Sequence, residues 1–306
     1  MKYLKLIRYP NLLMIALMQL LFRYGFFQMQ NIEVALTDFQ YLMLVVATVA
    51  IAAAGYLINN VFDQATDRDN KPSEVIVGNT VSESLAYNIY VALNIIGVGL
   101  GFWLSNGIGR PGFAALFVVI AATLYLYASS FKRSLLVGNI IVSLLVSISI
   151  LIVGIYDLYP ILTMENRPLM GIIFQILIDY AIFAFIVNFI REIVKDLEDV
   201  NGDYNQGMST LPIVLGVART AKLGFGLAVV PVLALLWYTY TYIFHLIYAA
   251  IYMIVFVVAP MVYFLLRMWS AQSQKDFRHL SFILKLVLLF GILSILVISL
   301  NMKYNA

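Results

Sequence analysis

The stretch QYLMLVVATVAIAAAGYLINNVFDQATD, residues 40–67, decides the fold of this chain of 306 residues. Residues 40–62 are almost wholly apolar, and a helix needs about 20 apolar residues to cross the hydrocarbon core of a bilayer. The run then stops at the carboxylates Asp63 and Asp67. The stretch therefore predicts a membrane-spanning helix with acidic groups at its end.

The composition extends this prediction to the whole chain. Hydrophobic residues make up 63% and charged residues only 11%, and the mean hydropathy is +0.93, which is typical of an integral membrane protein. The chain has no cysteine, which excludes a disulfide framework, a thiolate nucleophile and a cysteine zinc site. Nothing in the sequence indicates a nucleic-acid partner. Nine stretches approach the length of a span, at residues 11–30, 40–62, 84–105, 112–130, 135–156, 168–190, 221–241, 246–267 and 281–301.

These stretches predict the fold class. Lipid offers the backbone no hydrogen-bond partners, so an open chain crosses a membrane as helices. We therefore predict an all-α bundle of nine transmembrane helices that forms a single domain over residues 1–306. Only two connections, 63–83 and 191–220, are long.

The distribution of Lys and Arg predicts the orientation, because these residues are enriched in cytoplasmic segments. The charge bias places the N-terminus and both long connections on the cytoplasmic side of a bacterial or archaeal plasma membrane. Arg110, Arg167 and Lys303 would lie outside, and Arg23 and Lys285 fall within spans. The inner segments hold Lys2, Lys5, Arg8, Arg68, Lys71, Lys132, Arg133, Arg191, Lys195, Arg219, Lys222, Arg267, Lys275 and Arg278.

One polar pattern occurs twice, after the second and the sixth predicted span. Residues spaced by three and then four positions lie on one face of a helix, so each copy projects a short column of oxygen ligands. Like charges at this spacing repel one another unless cations lie between them. A solvated acidic loop is the plainer interpretation, but it leaves the duplication unexplained. The first motif consists of Asn60, Asp63 and Asp67, and the second motif, 136 positions later, of Asp196, Asp199 and Asp203.

Both motifs are predicted to bind metal. Carboxylate oxygens without His or Cys ligands suit Mg²⁺, which completes its shell with water and substrate phosphate. Such ions would bind a diphosphate and neutralise the charge that grows on it as it leaves. A lipid with a diphosphate head, such as an isoprenyl diphosphate, would present that head at the end of a membrane helix. A cation-coupled transporter is the alternative, but transporters place such sites near the bilayer midplane rather than at helix ends.

The two motifs also resemble those of a known family. NNVFDQATD (59–67) is similar to the N-D-x-x-D-x-x-x-D motif of the UbiA-type intramembrane prenyltransferases, and KDLEDVNGD (195–203) is similar to their D-x-x-D-x-x-x-D motif. NKP (70–72) and FKRSLLVGN (131–139) add to the likeness. The chain departs from the family at Asn60, where Asp is common, and at 74–75, where many members have Arg-Pro.

The resemblance implies a fold and a reaction. It implies two four-helix halves and an extra helix around a central cavity, in which Mg²⁺ on the motifs holds the diphosphate of a prenyl donor. The allylic C–O bond would ionise, and a lipophilic acceptor would capture the carbocation. The catalytic set would be Asp63, Asp67, Asp199, Asp203, Lys132 and Tyr127, and the substrate-binding set Asn59, Lys71, Lys132, Asn139, Arg191 and Lys195.

Several of these residues also have a structural interpretation. Cations beside the motifs can clamp phosphate oxygens, but they equally satisfy the positive-inside rule. Asn139 would face the cavity or make an interhelical hydrogen bond. Tyr127 would stabilise an allylic cation through its ring or belong to the interfacial belt. Arg23 and Asp179 are both predicted near mid-membrane, where charged groups pair or face a cavity.

The acceptor is predicted from resemblance alone. REIVKDLEDVNGDYNQGMSTLP (191–212) resembles the family branch that transfers a geranylgeranyl group to geranylgeranylglyceryl phosphate. An acceptor phosphate would need cations beyond those on the diphosphate, and Arg8, Arg133, Arg191 and Lys195 lie on the predicted side. An aromatic quinone precursor or haem is the alternative acceptor, since this Tyr- and Phe-rich chain could also build a flat apolar slot.

Overall fold

The computed structural model describes residues 2–70 and 75–304. Within these residues the chain has no β-strand, and a single isolated bridge joins Val77 and Val81. Nine helices in this part are long and apolar enough to cross a membrane, which confirms the predicted number. They are α1 (Tyr9–Phe27), α2 (Asp38–Phe62), α3 (Glu83–Gly107), α4 (Pro111–Ser129), α5 (Val137–Ile161), α6 (Arg167–Asn205), α7 (Val217–Ile243), α8 (Ile247–Ser270) and α9 (Gln274–Tyr304).

Successive spans run in opposite directions because each one crosses the same layer. Helices α2 and α6 therefore both end on one side of the bundle, which we call the motif end. The short helices Lys2–Leu6, Gln64–Asn70 and Leu211–Leu215 also lie there. The fold thus places both predicted motifs on the same side of the membrane-spanning bundle.

The start and the end of α2 follow from its sequence. Thr37 caps the helix: its hydroxyl accepts from the backbone N–H of Gln40 at 3.3 Å, and the Gln40 side chain accepts from the Thr37 backbone N–H at 2.9 Å. This reciprocal pair satisfies two of the backbone donors that a helix start leaves free. The helix ends at Phe62, where the apolar run stops, and Asp63 is its C-cap.

Among the described residues the bundle buries two large apolar cores, and a smaller one around Leu57 and Ile58 lies at the motif end. The first is formed mainly by α1, α2 and α5, with Phe22 and Tyr156 among its fully buried side chains. The second is formed by α6–α9 around residues such as Val257 and Phe264. Helix α6 contributes Leu177 to the first core and Val187 to the second. This one helix therefore joins the two parts of the bundle.

Helix α6 corrects the predicted connection 191–220. Its apolar part ends near Ile190 as predicted, but the helix continues to Asn205 and so carries the whole second motif. At about 1.5 Å per residue its 39 residues span about 58 Å, well beyond the ~30 Å hydrocarbon core. The polar end packs against the helix Gln64–Asn70. Tertiary packing thus continues a helix where hydropathy alone predicts a loop.

The structure settles the partners of the two charges predicted near mid-membrane. Arg23 lies in the last turns of α1, at the end opposite the motifs, and its guanidinium donates to both oxygens of Asp157, at 2.8 and 2.7 Å. Asp179 lies inside α6 and accepts from Gln175 at 2.9 Å and from the Tyr238 hydroxyl at 3.2 Å. The two residues therefore belong to separate polar clusters.

Candidate functional site

Asp63 is the anchor of the first motif. Its carboxylate is buried, with 4% of the residue exposed, and accepts a hydrogen bond of 2.6 Å from the Asn59 amide one helical turn earlier. The Lys132 ammonium pairs with the same carboxylate. Lys132 comes from the turn between α4 and α5. The contact therefore fixes that turn to the end of α2.

The neighbouring asparagines Asn59 and Asn60 point to different partners, since adjacent helical positions are about 100° apart. Asn59 contacts Asp63, whereas the Asn60 amide nitrogen donates to the backbone oxygens of Leu6 at 2.9 Å and Tyr56 at 2.7 Å. Asn60 thereby holds the helix Lys2–Leu6 against α2. Its place among the metal ligands stays a prediction.

The aspartates of the second motif follow one another along the end of α6. Asp196 accepts a hydrogen bond of 2.8 Å from Asn139 at the start of α5, which gives Asn139 the interhelical bond that was one of its two predicted roles. Asp203 is buried and lies close enough to Asp63, Asp199 and Lys132 to interact electrostatically with all three. Residues 140 positions apart in sequence therefore share one cluster.

A second contact joins the segments that carry the two motifs. The helix Gln64–Asn70, which carries Asp67, packs on α6, and the Gln206 amide donates to Asp69 at 3.2 Å across the junction. Asp63 of the first motif thus lies within electrostatic reach of Asp203 of the second, and the helices next to them pack together. In the described part of the chain, however, no three carboxylates converge closely enough to hold an ion by themselves.

The donor set nonetheless fits a hard divalent cation in its chemistry. Every candidate ligand is an oxygen of Asp or an amide, and Mg²⁺ takes only one or two protein carboxylates before water and phosphate complete its shell. Lys132 holds one oxygen of Asp63. A bound ion would therefore share Asp63 with this lysine or displace it toward a phosphate oxygen.

A cavity of about 230 Å³ opens beneath the motifs. At the motif end its wall is polar and includes Asn59, Tyr127 and Asn188. Deeper in the membrane the wall is apolar, with side chains such as Leu124 and Ile292. Such a cavity matches a ligand that has a polar head and a hydrocarbon tail.

Tyr127 lines this cavity, whereas Tyr125 does not. The Tyr125 ring packs edge-on against Phe62 at 5.9 Å between centroids, and 41% of the residue is exposed. Gly138 explains how Lys132 comes so close to the helix start: a Cβ at this position would meet the Lys132 Cα at 3.1 Å and the Tyr127 ring at 3.2 Å. The sequence VGN thus serves a close approach of backbone segments.

A group of charges lies in the polar part of the cavity wall, and the sequence predicts a role for only some of its members. Glu192 accepts from Arg191 at 3.0 Å and from Lys195 at 3.0 Å. Arg8 lies over the Tyr56 ring, 5.5 Å from its centroid. Burial lowers the pKa of the Arg8 guanidinium, but electrostatic interactions with Tyr56 and with the carboxylates Asp63 and Glu192 raise it above its ordinary value, so Arg8 stays charged.

Lys285 of α9 completes this group. The sequence predicts Lys285 within a span, where a charge is itself a sign of a functional cavity, but no sequence pattern indicates its role. Lys71, which was predicted to bind substrate, lies outside the described residues.

Comparisons with known proteins agree with this geometry. Residues 13–291 match the model of the UbiA prenyltransferase family. A digeranylgeranylglyceryl phosphate synthase of Thermococcus gammatolerans is 34% identical over 192 residues, which cover 62% of this chain and 63% of the relative. The corresponding synthase of Korarchaeum cryptofilum is 34% identical over 60% of this chain and 58% of its own length. The chain thus spans about six-tenths of the length of the curated relatives it matches.

Solved structures share the fold. A UbiA homologue of Aeropyrum pernix superposes with a TM-score of 0.65 at 13% identity, over 99% of this chain and 97% of the other. A digeranylgeranylglyceryl phosphate synthase gives 0.61 at 24% identity, over 96% and 98%. A UbiA homologue of Archaeoglobus fulgidus, bound to DMAPP and Mg²⁺, gives 0.61 at 15% identity, over 96% and 99%.

Proposed function

Because the chain belongs to the UbiA prenyltransferase family, we propose that it moves an isoprenyl group from a prenyl diphosphate to a lipophilic acceptor. The observation that carries this proposal is the meeting of the two motifs above one cavity: Asp63 and Asp203 share Lys132 at the polar mouth, and the wall below is apolar. A prenyl diphosphate has the same division into a charged head and a hydrocarbon tail.

We assign the diphosphate head of the prenyl donor to the motif end. Mg²⁺, held by Asp63, Asp67, Asp199 and Asp203, would neutralise the charge of the diphosphate as it leaves. A relative of the same fold was solved with DMAPP and Mg²⁺, which supports this assignment. Lys132 supplies a mobile cation, because its ammonium can exchange a carboxylate oxygen for a phosphate oxygen.

We assign the tail and the allylic carbon to the cavity. Its apolar wall excludes water, which would otherwise capture the allylic cation before the acceptor does. Tyr127 lines this wall, and the electron-rich face of a tyrosine ring can stabilise a cation. Asn59, whose amide contacts Asp63, orients that carboxylate. Lys71 remains a predicted ligand of the diphosphate.

The acceptor proposed is geranylgeranylglyceryl phosphate, with a geranylgeranyl donor. This rests on the resemblance of residues 191–212 and on the name that the matched relatives carry, digeranylgeranylglyceryl phosphate synthase. An aromatic acceptor is the second candidate. Purified protein in nanodiscs is offered geranylgeranyl diphosphate, Mg²⁺ and both acceptors. We expect an ether-linked product that retains its phosphate by mass spectrometry, abolished by EDTA; a prenylated aromatic as the sole product would reverse the choice.

The nine apolar helices within the described residues make this an integral membrane protein, and we propose that the motif end faces the cytoplasm. The lack of cysteine allows a clean test with single introduced cysteines. Asn205→Cys at the motif end should resist a membrane-impermeant maleimide in intact cells, and Asn166→Cys at the opposite end should react. The reverse pattern would invert the orientation.

A further inference from the structure

We propose that Arg8, Arg191, Lys195 and Lys285 form a metal-independent site for the phosphate monoester of the acceptor, separate from the motif aspartates. The four side chains line the same cavity, and they come from the chain before α1, from α6 and from α9. This inference rests on the proposed function, since it assigns the acceptor's head group within the same cavity.

The charge balance of the cavity wall is the first observation. Among the described residues, the charged side chains that line it are these four cations and one carboxylate, Glu192, so this part of the wall carries a net charge of +3. Lys285 lies close enough to Arg191, Arg8 and Lys195 for their charges to repel its own. Excess charge of one sign in the wall of a buried cavity is costly unless a ligand compensates it. An anion with two negative charges is the simplest compensation.

Hydrogen-bond donors without an acceptor are the second observation. Arg191 Nε is buried, and the described residues offer it no hydrogen-bond partner. Over the same residues Lys285 forms no ion pair with a carboxylate, whereas Arg191 and Lys195 both use Glu192. The Glu192 carboxylate thus satisfies part of the cluster, and the donors that remain point to a second anion.

The position of the cluster favours the acceptor over the donor. Lys195 precedes Asp199 by one helical turn, about 6 Å along α6, and Arg191 lies one turn deeper. A diphosphate on the motif aspartates needs metal ions to overcome their negative charge, whereas a phosphate on four cations needs none. The glycerol backbone of the acceptor spans the few ångströms between the two phosphate sites, which brings its hydroxyl toward the allylic carbon of the donor.

The test uses full-length protein in nanodiscs. Lys285→Gln should raise the KM for geranylgeranylglyceryl phosphate about tenfold to hundredfold, the usual worth of a charged hydrogen bond, and leave the KM for geranylgeranyl diphosphate unchanged. Lys285→Arg should retain most of the affinity. Lys275→Gln, an exposed lysine in the first turn of the same helix, is the matched control and should match the wild type. Thermal unfolding of each variant verifies folding.

Binding without turnover separates this inference from the proposed reaction. In EDTA, the wild type should bind geranylgeranylglyceryl phosphate saturably and the phosphate-free geranylgeranylglycerol at least tenfold more weakly. Lys285→Gln should bind the two lipids with similar affinity. Inorganic phosphate should compete weakly. No saturable binding in EDTA, an unchanged KM for the phosphorylated acceptor, or a rise in the donor KM alone would each overturn the cation site. Absence of prenyl transfer in the wild type would overturn the reaction instead.

Discussion

Two buried clusters of charge lie at opposite ends of the bundle, and they are built in opposite ways. Far from the motifs, Asp157 is fully buried and accepts two hydrogen bonds from Arg23 and a third, at 3.1 Å, from the Leu36 backbone. At the motif end, Asp63 and Asp203 share the single ammonium of Lys132. The first cluster pairs one buried acid with one buried base, with the exposed Asp38 at its edge 3.4 Å from Arg23, whereas the second gathers two buried acids around one lysine.

This contrast separates charge that holds the fold from charge that serves a ligand. The Arg23–Asp157 pair ties α1 to α5, and the Leu36 contact adds the loop before α2, so both Asp157 oxygens accept hydrogen bonds from within the fold. The motif cluster contains repelling carboxylates, which lower stability unless cations reach them. Removing a charge should therefore harm folding at one end and activity at the other.

The largest effect is expected for Asp157→Asn. Breaking a buried ion pair leaves the partner charge uncompensated and costs about 3–5 kcal/mol of unfolding free energy, here the guanidinium of Arg23. Unfolding in mixed micelles should show this loss, while turnover per folded molecule stays near the wild-type value. A folded Asp157→Asn protein with strongly reduced turnover would show that the far cluster also serves the reaction.

The next effect is expected at the motifs. Asp63→Asn and Asp199→Asn should each lower turnover about 10²–10³-fold, the usual cost of losing one preorganised electrostatic contact. Asp199→Asn removes a charge that repels Asp203 and should cost little stability, whereas Asp63→Asn also breaks the ion pair with Lys132 and should lower stability. Asp69→Asn is the matched control, since Asp69 is exposed and lies outside the motif spacing. Near-normal turnover in the Asp63/Asp199 double variant would exclude the metal assignment.

A smaller effect is expected for Lys132→Gln. Loss of one cation from the diphosphate site should lower turnover about tenfold to hundredfold. The same change removes the only ammonium paired with Asp63 among the described ion pairs, so the Mg²⁺ concentration for half-maximal activity should fall. Titration of Mg²⁺ at saturating substrate measures both the turnover and the Mg²⁺ concentration for half-maximal activity. A rise in the Mg²⁺ requirement would mean that Lys132 supports metal binding rather than competing with it.

The helices and the two motifs could be predicted from the sequence, because they depend on local patterns. The nine apolar runs predict the nine helices, and the repeated spacing predicts the two motifs. The end of α6 could not be predicted by hydropathy, since residues 191–205 stay helical through packing on another segment. Whether Asn59 or Asn60 contacts Asp63 depends on one 100° step around α2.

Contacts between distant residues were beyond the reach of sequence patterns. Arg23 meets Asp157 across 134 positions, and both predicted mid-membrane charges had other partners than each other. Lys285 joins Arg8 in one cavity wall although almost the whole chain separates them. The sequence shows that such charges need partners, and only the fold selects which.

The smallest effect is expected for Gly138→Ala, which tests how Lys132 is delivered to Asp63. The added methyl would lie 3.1 Å from the Lys132 Cα and 3.3 Å from the Phe131 backbone oxygen, so the turn must move by a few tenths of an ångström. We expect a loss of about 1 kcal/mol of unfolding free energy and a fall in turnover of less than about tenfold. Gly171→Ala is the matched control, because nothing lies within 4 Å of its methyl in α6, and it should stabilise the helix by about 0.5–1 kcal/mol. Equal effects of the two substitutions on turnover would show that the Lys132 turn adapts freely. Reduced turnover in Gly138→Ala alone, with an altered Mg²⁺ requirement, would show that the close approach at Gly138 sets the position of Lys132.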